Sequence, residues 1–492
     1  MFQWRGSYMG IYDSFVWQFL IVINLLFAIT ITFLERRNVS ASWAWLMVLS
    51  FIPIGGFMLY IVLGQNLSKR KIFTWDKRGY DYLEQRIAEQ KEQIKDMEEP
   101  FNTSITQRYK DLILMNMQTD HAVYTNDNKI EIITDGKDKF ELLFKDIASA
   151  KKHIHVLYYI IQNDTYGNRL LDALIEKAKQ GVEIRLIYDD AGSRRISKKR
   201  VKKLIEAGGK AEAFFPGKLP LINLRINFRN HRKLVIIDRK VGYLGGFNVG
   251  EEYLGLNPKF GNWRDTHLRI IGDAVNDLQS RFLLDWAQAS GDKMEWTEEY
   301  FKYSRKHNEK GVGLQIVTSG PDSEREQIKK SYIRMILDAK EYIYLQTPYF
   351  IPDDSLLDAI RIASMSGVDV RVMIPNKPDH LFVYWATYSY VGEILKAGAK
   401  VYLYENGFLH AKTMVIDDRL ATVGTANIDV RSFRLNFEVN AIIYHAETAV
   451  QLKNIFEKDL CHCKELSLET YNNRSIYIRF KESLSRLLSP VL

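Results

Sequence analysis

The chain has 492 residues, enough for two or three domains, and its two cysteines exclude a small fold held together by disulfides. Its formal net charge of +8 predicts an anionic partner, either nucleic acid or a membrane surface. The cysteines, Cys461 and Cys463, flank His462, but these three adjacent residues lack a fourth ligand at a recognisable spacing, so they predict no metal site.

Two uncharged apolar stretches near the N-terminus favour a membrane over nucleic acid as the partner. Neither Phe15 to Leu34 nor Trp43 to Gly64 contains a charged residue. Each is long enough to span a hydrocarbon core of about 30 Å. The first stretch is too long for a signal peptide, and a second follows it directly. The sequence therefore predicts two transmembrane helices in an integral, multi-pass protein of the cell membrane that binds no nucleic acid.

The charges around these stretches predict an orientation. The connection between them, residues 35–42, holds two arginines, whereas more lysines and arginines lie outside the pair. The positive-inside bias therefore places both termini and the catalytic domain in the cytoplasm. Residues 65–130 then read as a polar, partly helical linker, with an amphipathic helix ending near Pro100. This helix either packs onto the catalytic body or pairs with a partner helix, and its short heptad run favours the body.

The remainder of the chain is an internal repeat, with a first copy at 131–310 and a second at 311–492. In both copies helices and strands alternate before a histidine, which is His231 in the first copy and His410 in the second. Alternating strands and helices predict an α/β fold. The expected elements are the helices 140–151, 168–180, 328–339 and 355–366, and the strands 154–159, 182–188, 343–346 and 368–374.

Each histidine opens the same motif, His-x-Lys-x4-Asp, and an asparagine follows each aspartate at the same distance in a turn of small residues. Composition alone gives about 0.04 such motifs per chain, so two matched copies are not accidental. Histidine and lysine alternate, so we expect both side chains on one face of an extended segment that leads into a buried strand. The motif residues are His231, Lys233, Asp238 and Asn248 in the first copy, and His410, Lys412, Asp417 and Asn427 in the second.

These residue types suit chemistry at a phosphate. The lysines and the phosphate-binding asparagines can hold its non-bridging oxygens as their charge grows during attack. One histidine can attack phosphorus while the other protonates the leaving oxygen, so a single site needs both motifs. Asp238 and Asp417 belong to the catalytic motifs, but we expect them to act as structural residues at strand ends. Because cationic side chains meet the charge, no metal and no cofactor are expected.

The duplicated motif resembles that of the phospholipase D superfamily, and longer stretches resemble the bacterial cardiolipin synthases within it, over essentially the whole chain. The resemblance implies a duplicated α/β/α sandwich in which two halves face each other across a pseudo-twofold axis. It also implies an acidic residue that orients each histidine, and Glu438 and Asp265 fit this role. Glu438 follows His410 in the second copy, and Asp265 follows His231 in the first copy at a slightly greater distance. The stretches that carry the resemblance are 228–233, 349–353, 407–414 and 424–440.

The resemblance implies a cardiolipin synthase activity, in which a phosphatidyl group passes from one phosphatidylglycerol to another through a phosphohistidine, giving cardiolipin and glycerol. A hydrolytic phospholipase D or another phosphatidyltransferase is the alternative. A tethered binding protein with an inactive repeat is disfavoured, because both motifs are intact at every polar position. The attacking histidine, the acyl-chain preference, other acceptor alcohols and the oligomeric state stay open.

Two apolar stretches ahead of the motifs have two interpretations. Residues 214–222 precede the first motif, and the aromatic stretch 381–385 is their counterpart before the second. Each stretch is either part of the core or a surface that meets acyl chains at the lipid interface. The sequence favours neither interpretation.

Overall fold

The computed structural model describes an α/β body and part of the N-terminal region. The chain divides into two compact units, and the second, residues 71–216 and 228–492, contains the body. In the first unit the structure describes helix α1, Val39–Phe51. The described residues are 39–52 and 77–489, except 99, 102, 217–226, 293–299 and 301–310, with isolated positions between 18 and 56.

The predicted membrane spans fall mostly outside this description. Phe15 to Leu34 is described only at isolated positions, and Trp43 to Gly64 is described mainly where α1 covers it. Within the part of the chain that the structure describes, no helix has the length and apolar character needed to cross a membrane.

Three helices lead into the body, and the first of them packs on it. Leu83, Ile87 and Ile94 of this amphipathic helix are buried in the same hydrophobic core as strands and helices of the second repeat. The buried amide of Gln90 also bonds to the backbone of Tyr124, at 2.6 and 3.0 Å. The prediction that this helix packs onto the body is therefore confirmed. The three helices are α2 (Lys77–Lys95), α3 (Ser104–Arg108) and α4 (Lys110–Asp120).

The first repeat has the alternating order that its sequence predicts, and the predicted elements before His231 form within a few residues of their expected bounds. Asp135 and Asp164 cap the two helices on either side of β2 and accept hydrogen bonds from their first turns. The elements are β1 (Thr125–Ile133), α5 (Gly136–Ser149), β2 (His153–Tyr158), α6 (Thr165–Lys179), β3 (Glu183–Asp189), α7 (Lys198–Glu206), β4 (Lys210–Phe214), β5 (Arg229–Asn230), β6 (Leu234–Ile237), β7 (Val241–Gly245), a 3₁₀ helix (Glu251–Leu254), β8 (Trp263–Arg264), β9 (His267–Ile271) and α8 (Ala274–Ser290).

The second repeat follows the same order and then adds a short C-terminal extension. Asp353 caps its second helix, as Asp164 caps the corresponding helix of the first repeat. The elements are β10 (Val312–Ser319), α9 (Gln327–Asp338), β11 (Tyr342–Gln346), β12 (Phe350–Ile351), α10 (Asp354–Met365), β13 (Asp369–Pro375), α11 (Leu381–Lys396), β14 (Lys400–Tyr404), β15 (Phe408–Leu409), β16 (Thr413–Ile416), β17 (Leu420–Gly424), β18 (Ile428–Asp429), α12 (Val430–Arg434), β19 (Asn436–Tyr444), α13 (Ala446–Leu460), β20 (Cys463–Glu465), α14 (Leu468–Asn472) and α15 (Ile476–Leu487).

One continuous sheet joins the two repeats. Its strand order is β20-β14-β13-β11-β16-β17-β19-β10-β1-β9-β7-β6-β2-β3-β4. The antiparallel pair β1–β10 lies at its centre, and the strands to either side follow equivalent orders. This confirms the predicted duplicated α/β fold. β1 begins at Thr125, ahead of the expected repeat boundary at 131, because its first half pairs with β10 and its second half with β9.

Two short parallel pairs cross between the repeats and decide where the motifs lie. β5 pairs with the start of β19, so that Asn230 is opposite Phe437. β15 pairs with β8, so that Leu409 is opposite Arg264. Each of β5 and β15 ends immediately before a motif histidine, and the acid-bearing segment of the other repeat lies beside it. The two pairs therefore place each motif histidine next to an acidic residue of the other repeat.

The residues of the first motif lie partly ahead of its buried strand, as expected. Leu234–Ile237 forms the predicted buried strand, β6. His231 and Lys233 do not lie within that strand; they occupy the connection between β5 and β6. The connection arises because β5 is paired to β19 of the second repeat, whereas β6 is paired to β2 and β7 of its own.

Candidate active site

The first motif histidine lies against an acidic side chain of the second repeat. Nδ1 of His231 is 2.9 Å from Oε1 and 3.0 Å from Oε2 of Glu438, and its backbone amide donates to the carbonyl of Phe437 at 2.9 Å. Glu438 is fully buried and also accepts a hydrogen bond from the hydroxyl of Thr425. Because a carboxylate only accepts, it fixes the proton of a neutral imidazole on Nδ1 and leaves the lone pair on Nε2.

The second motif histidine has the same arrangement with an acid of the first repeat. Nδ1 of His410 lies 2.6 Å from Oδ2 of Asp265, and the His410 amide donates to the carbonyl of Arg264 at 2.7 Å. The other oxygen of Asp265 accepts from the amide of Thr266 at 2.7 Å. Gly246 passes so close to Asp265 that a Cβ at this position would collide with the carboxylate. Asp265 thus corresponds to Glu438 of the other dyad, and Gly246 corresponds to Thr425.

Both dyads are formed across the repeats. The positions that suggested Glu438 and Asp265 were counted from His410 and His231, the histidines of their own repeats. The structure gives each acid to the other histidine. The contacts support an orienting role for both carboxylates.

The pKa values of the acids reflect these contacts. Burial alone would raise the pKa of Glu438, but the charge and hydrogen bond of His231 hold it below its ordinary value. For Asp265 burial likewise opposes ionisation, and the charges of His410 and Lys412 outweigh it and lower the pKa. Both carboxylates are therefore ionised and able to stabilise a charged imidazole.

The two motif lysines are buried cations beside the histidines. The Lys233 ammonium donates to the carbonyl of His231 at 2.6 Å, and Lys412 donates to the carbonyl of His410. Burial, together with the charge of Lys412, lowers the pKa of Lys233 to about 7, although the charge of Glu438 opposes the shift. Burial also lowers the pKa of Lys412 to about 8. Two buried cations that repel each other form a receptor for an anion.

The histidines respond to the same charges. Burial lowers the pKa of His231, with both lysines acting in the same direction and Glu438 opposing them. Burial and Lys412 lower the pKa of His410 to about 4, and Lys233 contributes to the shift. Each histidine is thus affected by both lysines, so the structure brings the two motifs together around one space. In the free enzyme both histidines therefore have pKa values below that of an ordinary imidazole.

The two asparagines lie at equivalent, buried positions. Oδ1 of Asn248 accepts from the backbone amide of Ile160 at 3.2 Å. The backbone amide of Asn427 donates to the hydroxyl of Ser432 at 3.2 Å. Oδ1 of Asn427 is buried and has no hydrogen-bond partner among the residues described here. The side chain of Asn427 also forms a hydrogen bond with Asp429, which places its amide in the same polar cluster.

The motif aspartates lie at hairpin turns rather than in the dyads. Asp238 accepts hydrogen bonds from the amides of Lys151, Lys152 and His153, at 2.7 to 3.0 Å. Asp417 makes the equivalent three bonds, at 2.8 to 3.0 Å, to the amides of residues 340–342. Both have a positive φ of 51°, a left-handed conformation that aspartate tolerates better than most residues. These contacts favour the structural interpretation of the two aspartates.

The structure adds three residues to the site that the sequence motifs did not identify. The ring of Tyr159 lies 4.9 Å from that of His231, and Trp263 lies 5.2 Å from His410. Burial raises the pKa of Asp429 to about 6, and its charge acts on Lys412. Tyr159 follows the end of β2, where ligands bind in open α/β sheets, and this position is the one signal that could have indicated it.

An aspartate outside the motifs fixes the backbone ahead of the first of them. Asp189, at the end of β3, accepts a hydrogen bond from the amide of Asn230 at 3.0 Å. It also accepts from the amides of Ala191 and Gly192, at 3.0 and 2.9 Å. These contacts give Asp189 a structural role beside the site.

The two apolar stretches before the motifs have different environments. Phe214 and Phe215 are buried and pack on Phe437, with ring centroids 5.4 and 5.9 Å from it, so this part belongs to the core. Residues 217–222 of the same stretch lie outside the described residues. In the second stretch Leu381 is 65% exposed and Phe382 is 54% exposed, so this part belongs to the surface.

Comparison with known proteins identifies the family. A family model described as "Cardiolipin synthase, PLD-like domain" matches residues 143–285 and 332–460, and one described as "Phospholipase_D-nuclease N-terminal" matches residues 22–65. The major cardiolipin synthase ClsA of Bacillus subtilis (strain 168) is 58% identical over 96% of this chain and 98% of its own length. The cardiolipin synthase of Oceanobacillus iheyensis is 55% identical over the same shares of the two chains.

A solved structure supports the fold. The phosphatidylserine synthase of Haemophilus influenzae Rd KW20 aligns with a TM-score of 0.59 at 15% identity, covering 79% of this chain and 100% of its own. At this identity the alignment shows the shared fold alone. The family model, which matches both repeats, assigns the duplicated fold around the site to the phospholipase D class. Taken with the sequence relatives, the chain belongs to the cardiolipin synthase family of that class, and the predicted family is confirmed.

Proposed function

We propose that this chain is a phosphatidyltransferase that joins two phosphatidylglycerol molecules into cardiolipin and glycerol through a phosphohistidine intermediate. Relatives above 50% identity that are named cardiolipin synthase, over nearly the whole chain, confirm the predicted enzyme class and product. The observation that carries the mechanism is the pair of histidine–carboxylate dyads, His231–Glu438 and His410–Asp265, around two buried lysines.

The first step breaks a phosphodiester bond. Nε2 of one histidine attacks phosphorus, the bond to the glycerol oxygen breaks, and the other histidine gives that oxygen a proton. In the second step the histidine that protonated the glycerol acts as a base. It takes the proton from the terminal hydroxyl of another phosphatidylglycerol, and that hydroxyl oxygen attacks phosphorus. The phosphorus–nitrogen bond breaks, and the attacking histidine is restored. Because the dyads are built alike, either histidine has the geometry to attack.

The binding of an anionic phosphate changes the protonation of the site. We assign the non-bridging oxygens to Lys233, Lys412, Asn248 and Asn427, which keeps the metal-free prediction for the chemistry at phosphorus. An anionic phosphodiester between the lysines raises the pKa values of the lysines and of the histidines. Lipid binding therefore favours uptake of a proton from solvent by the histidine that acts as the acid. The dyad carboxylates stabilise the imidazolium as it forms.

A membrane location is the second part of the proposal. The uncharged stretches at 15–34 and 43–64 are long enough to anchor the chain, and we propose that they span the cell membrane with the catalytic body in the cytoplasm. A site held beside the bilayer meets acceptor headgroups at high local concentration. This favours transfer over hydrolysis, which uses the same intermediate.

One experiment separates transferase from hydrolase. Purified full-length enzyme is given phosphatidylglycerol alone, in vesicles of increasing lipid density, and the products are quantified by mass spectrometry. We expect cardiolipin and one glycerol for each molecule formed. Phosphatidic acid as the main product at every density would identify a phospholipase D and contradict the proposal.

The orientation has its own test. A reporter fused after Leu492 is expected to be cytoplasmic. An impermeant thiol reagent should fail to label a cysteine introduced by Lys458→Cys in intact cells, in a Cys461→Ser, Cys463→Ser background, and should label it after lysis. Labelling in intact cells would reverse the proposed topology.

A further inference from the structure

The last helix of the chain has its apolar side outward. On α15, Tyr477 is 63% exposed, Phe480 is 64% exposed, Leu484 is 48% exposed and Leu487 is 77% exposed. Residues three and four apart share one side of a helix, so these four form a single stripe along it. A helix that packs on a soluble body normally buries such a stripe.

The side of α15 that faces the body is largely polar instead, with the partly buried Ile478 as its apolar member. Glu482 and Ser485 are buried, and Glu482 pairs with Arg474 at 2.7 Å. Further along, the guanidinium of Arg486 lies 4.6 Å from the ring of Tyr390 on α11. Polar and cation–π contacts hold the helix to the body and keep its apolar stripe outward. The helix is therefore oriented the opposite way round from an ordinary surface helix.

The start of α11 extends this apolar stripe. The ammonium of Lys481 lies 5.1 Å from the ring of Trp385 and 4.2 Å from the ring of Tyr477, so it joins the two helices. Leu381 and Phe382, in the first turn of α11, are both more than half exposed. We call the resulting patch the α11–α15 surface. Its members are Leu381, Phe382, Trp385, Tyr477, Phe480 and Leu484.

The patch adjoins the active site. Asp379, just before the start of α11, accepts a hydrogen bond from the hydroxyl of Tyr349. The charge of Asp379 also acts on the buried ammonium of Lys412. The end of α11 at which Leu381 and Phe382 are exposed is therefore the end that reaches the catalytic cluster. A lipid bound at this patch would lie at the end of α11 that is nearer the catalytic lysine Lys412.

The charge around the patch selects one kind of occupant. Residues 474–489 contain four basic residues and one acidic residue, Glu482, which is already paired with Arg474. Arg486 is paired with Glu393 of α11 at 3.5 Å, whereas Arg479 is exposed beside the stripe in sequence. Aromatic rings with lysine and arginine at their edge are typical of helices that lie in the interface of an anionic bilayer. A contact with an apolar surface of another protein would require neither the aromatic rings nor the excess of positive charge, so the composition favours an anionic bilayer.

We propose that the α11–α15 surface inserts into the headgroup layer of an anionic bilayer and holds the active site close to its lipid substrates. The proposal rests on the proposed function for the substrate, but the contact with lipid is independent of the reaction. It adds a second attachment, at the catalytic body, to the anchoring that we propose for the N-terminal stretches.

The test labels one position on the surface of the full-length protein. In a Cys461→Ser, Cys463→Ser background, Leu484→Cys carries an environment-sensitive fluorophore, and the protein is reconstituted into phosphatidylglycerol or phosphatidylcholine vesicles. We expect a blue shift and quenching by spin-labelled acyl chains in phosphatidylglycerol vesicles. Met365→Cys is the matched control, because Met365 is 64% exposed at the last residue of α10, on another helix. It should show neither change.

Three results would overturn the proposal. The Leu484 label could remain in water in both vesicles, or it could be quenched no more than the Met365 label. It could also shift with protein density without quenching by lipid, which would identify a contact between two copies of the chain. Quenching with no cardiolipin formed would instead overturn the proposed function and leave the surface proposal standing.

An activity measurement provides the second arm. Phe480→Ser and Leu484→Ser should raise the apparent KM for phosphatidylglycerol in vesicles several-fold, while kcat in detergent micelles stays unchanged. Because both side chains are exposed, the variants should fold normally. Equal kinetics in vesicles for the wild type and the variants would contradict the proposal.

Discussion

Nδ1 of His231 donates to the carboxylate of Glu438 at 2.9 Å, although the two residues belong to different repeats and lie 207 positions apart. His410 and Asp265 form the reciprocal contact at 2.6 Å. Each repeat thus supplies the histidine of one dyad and the acid of the other. The short pairs β5–β19 and β8–β15 produce this exchange, since each holds a segment that precedes a histidine beside an acid-bearing segment of the other repeat.

The exchange predicts that Glu438→Gln disables His231. The amide carries no charge to stabilise the imidazolium and can present a donor to Nδ1, so we expect kcat to fall by about 10²- to 10⁴-fold. Asp265→Asn should act in the same way through His410. Thr425→Val is the matched control: it removes one hydrogen bond to Glu438 but leaves the charge, so a much smaller loss is expected. Equal losses in Glu438→Gln and Thr425→Val would argue against the dyad role.

The histidines are predicted to act as a unit. His231→Ala and His410→Ala should each abolish turnover, by at least about 10³-fold, because one residue attacks and the other moves the proton. Circular dichroism should show a folded protein in both cases. Rapid quenching of the wild type with labelled phosphatidylglycerol, followed by peptide mapping, should locate the phosphohistidine and assign the attacking residue. Near-normal turnover in either variant would rule out the two-histidine mechanism.

The buried lysines predict the alkaline limb of the pH profile. Their pKa values of about 7 for Lys233 and about 8 for Lys412 lie below the ordinary 10.5, so the free enzyme loses both positive charges as pH rises through this range. We therefore expect kcat/KM to fall as pH rises through these two values, since that ratio reports groups of the free enzyme. In Lys233→Arg the guanidinium stays charged, so the remaining limb should move up towards that of Lys412. An unchanged limb would show that Lys233 does not set it.

Metal independence is a further prediction. Two lysines and two asparagines meet the growing negative charge, which leaves no need for a divalent ion at phosphorus. Activity should persist after exhaustive dialysis against a chelator, measured in metal-free detergent buffer. If activity vanished and one particular metal restored it, the assignment of the phosphate to these side chains would be wrong.

The motif aspartates should affect stability rather than catalysis. Asp417→Asn weakens three hydrogen bonds at a buried turn and should lower the free energy of unfolding by about 1–3 kcal/mol. Asp238→Asn, at a more exposed equivalent turn, should cost less. Denaturant titration measures the loss, and kcat of the folded protein should be unchanged in both variants. A large fall in kcat without destabilisation would place these aspartates in the reaction.

The sequence predicted the alternating elements well because their apolar periodicity is strong and aspartates cap several helices. It could not predict which acid meets which histidine. Glu438 follows His410 and Asp265 follows His231 along the chain, and this order suggests pairing within a repeat. The first repeat has the longer connection between its asparagine and its acid, because it holds a 3₁₀ helix and a loop where the second repeat has α12.

The exposed turn at Leu381 shows a second limit of the sequence. The sequence of an apolar stretch before a motif does not show whether the stretch is buried or exposed. Phe214 is buried, whereas Phe382 is exposed. Burial there depends on what the rest of the chain places over each run. In the first repeat that is Phe437, whose backbone pairs with β5.

The crossing pairs β5–β19 and β8–β15 also constrain how such a chain could have arisen. Each acid contacts the histidine of the other repeat, so a chain with a single copy would form the same dyads only as a symmetric dimer. With both copies in one chain, the contacts between histidine and acid are intramolecular. The residues around the two dyads can then differ, as Gly246 beside Asp265 differs from Thr425 beside Glu438. Under the proposed mechanism the loss of either acid would impair the histidine of the other repeat, so both copies would have to keep their site residues.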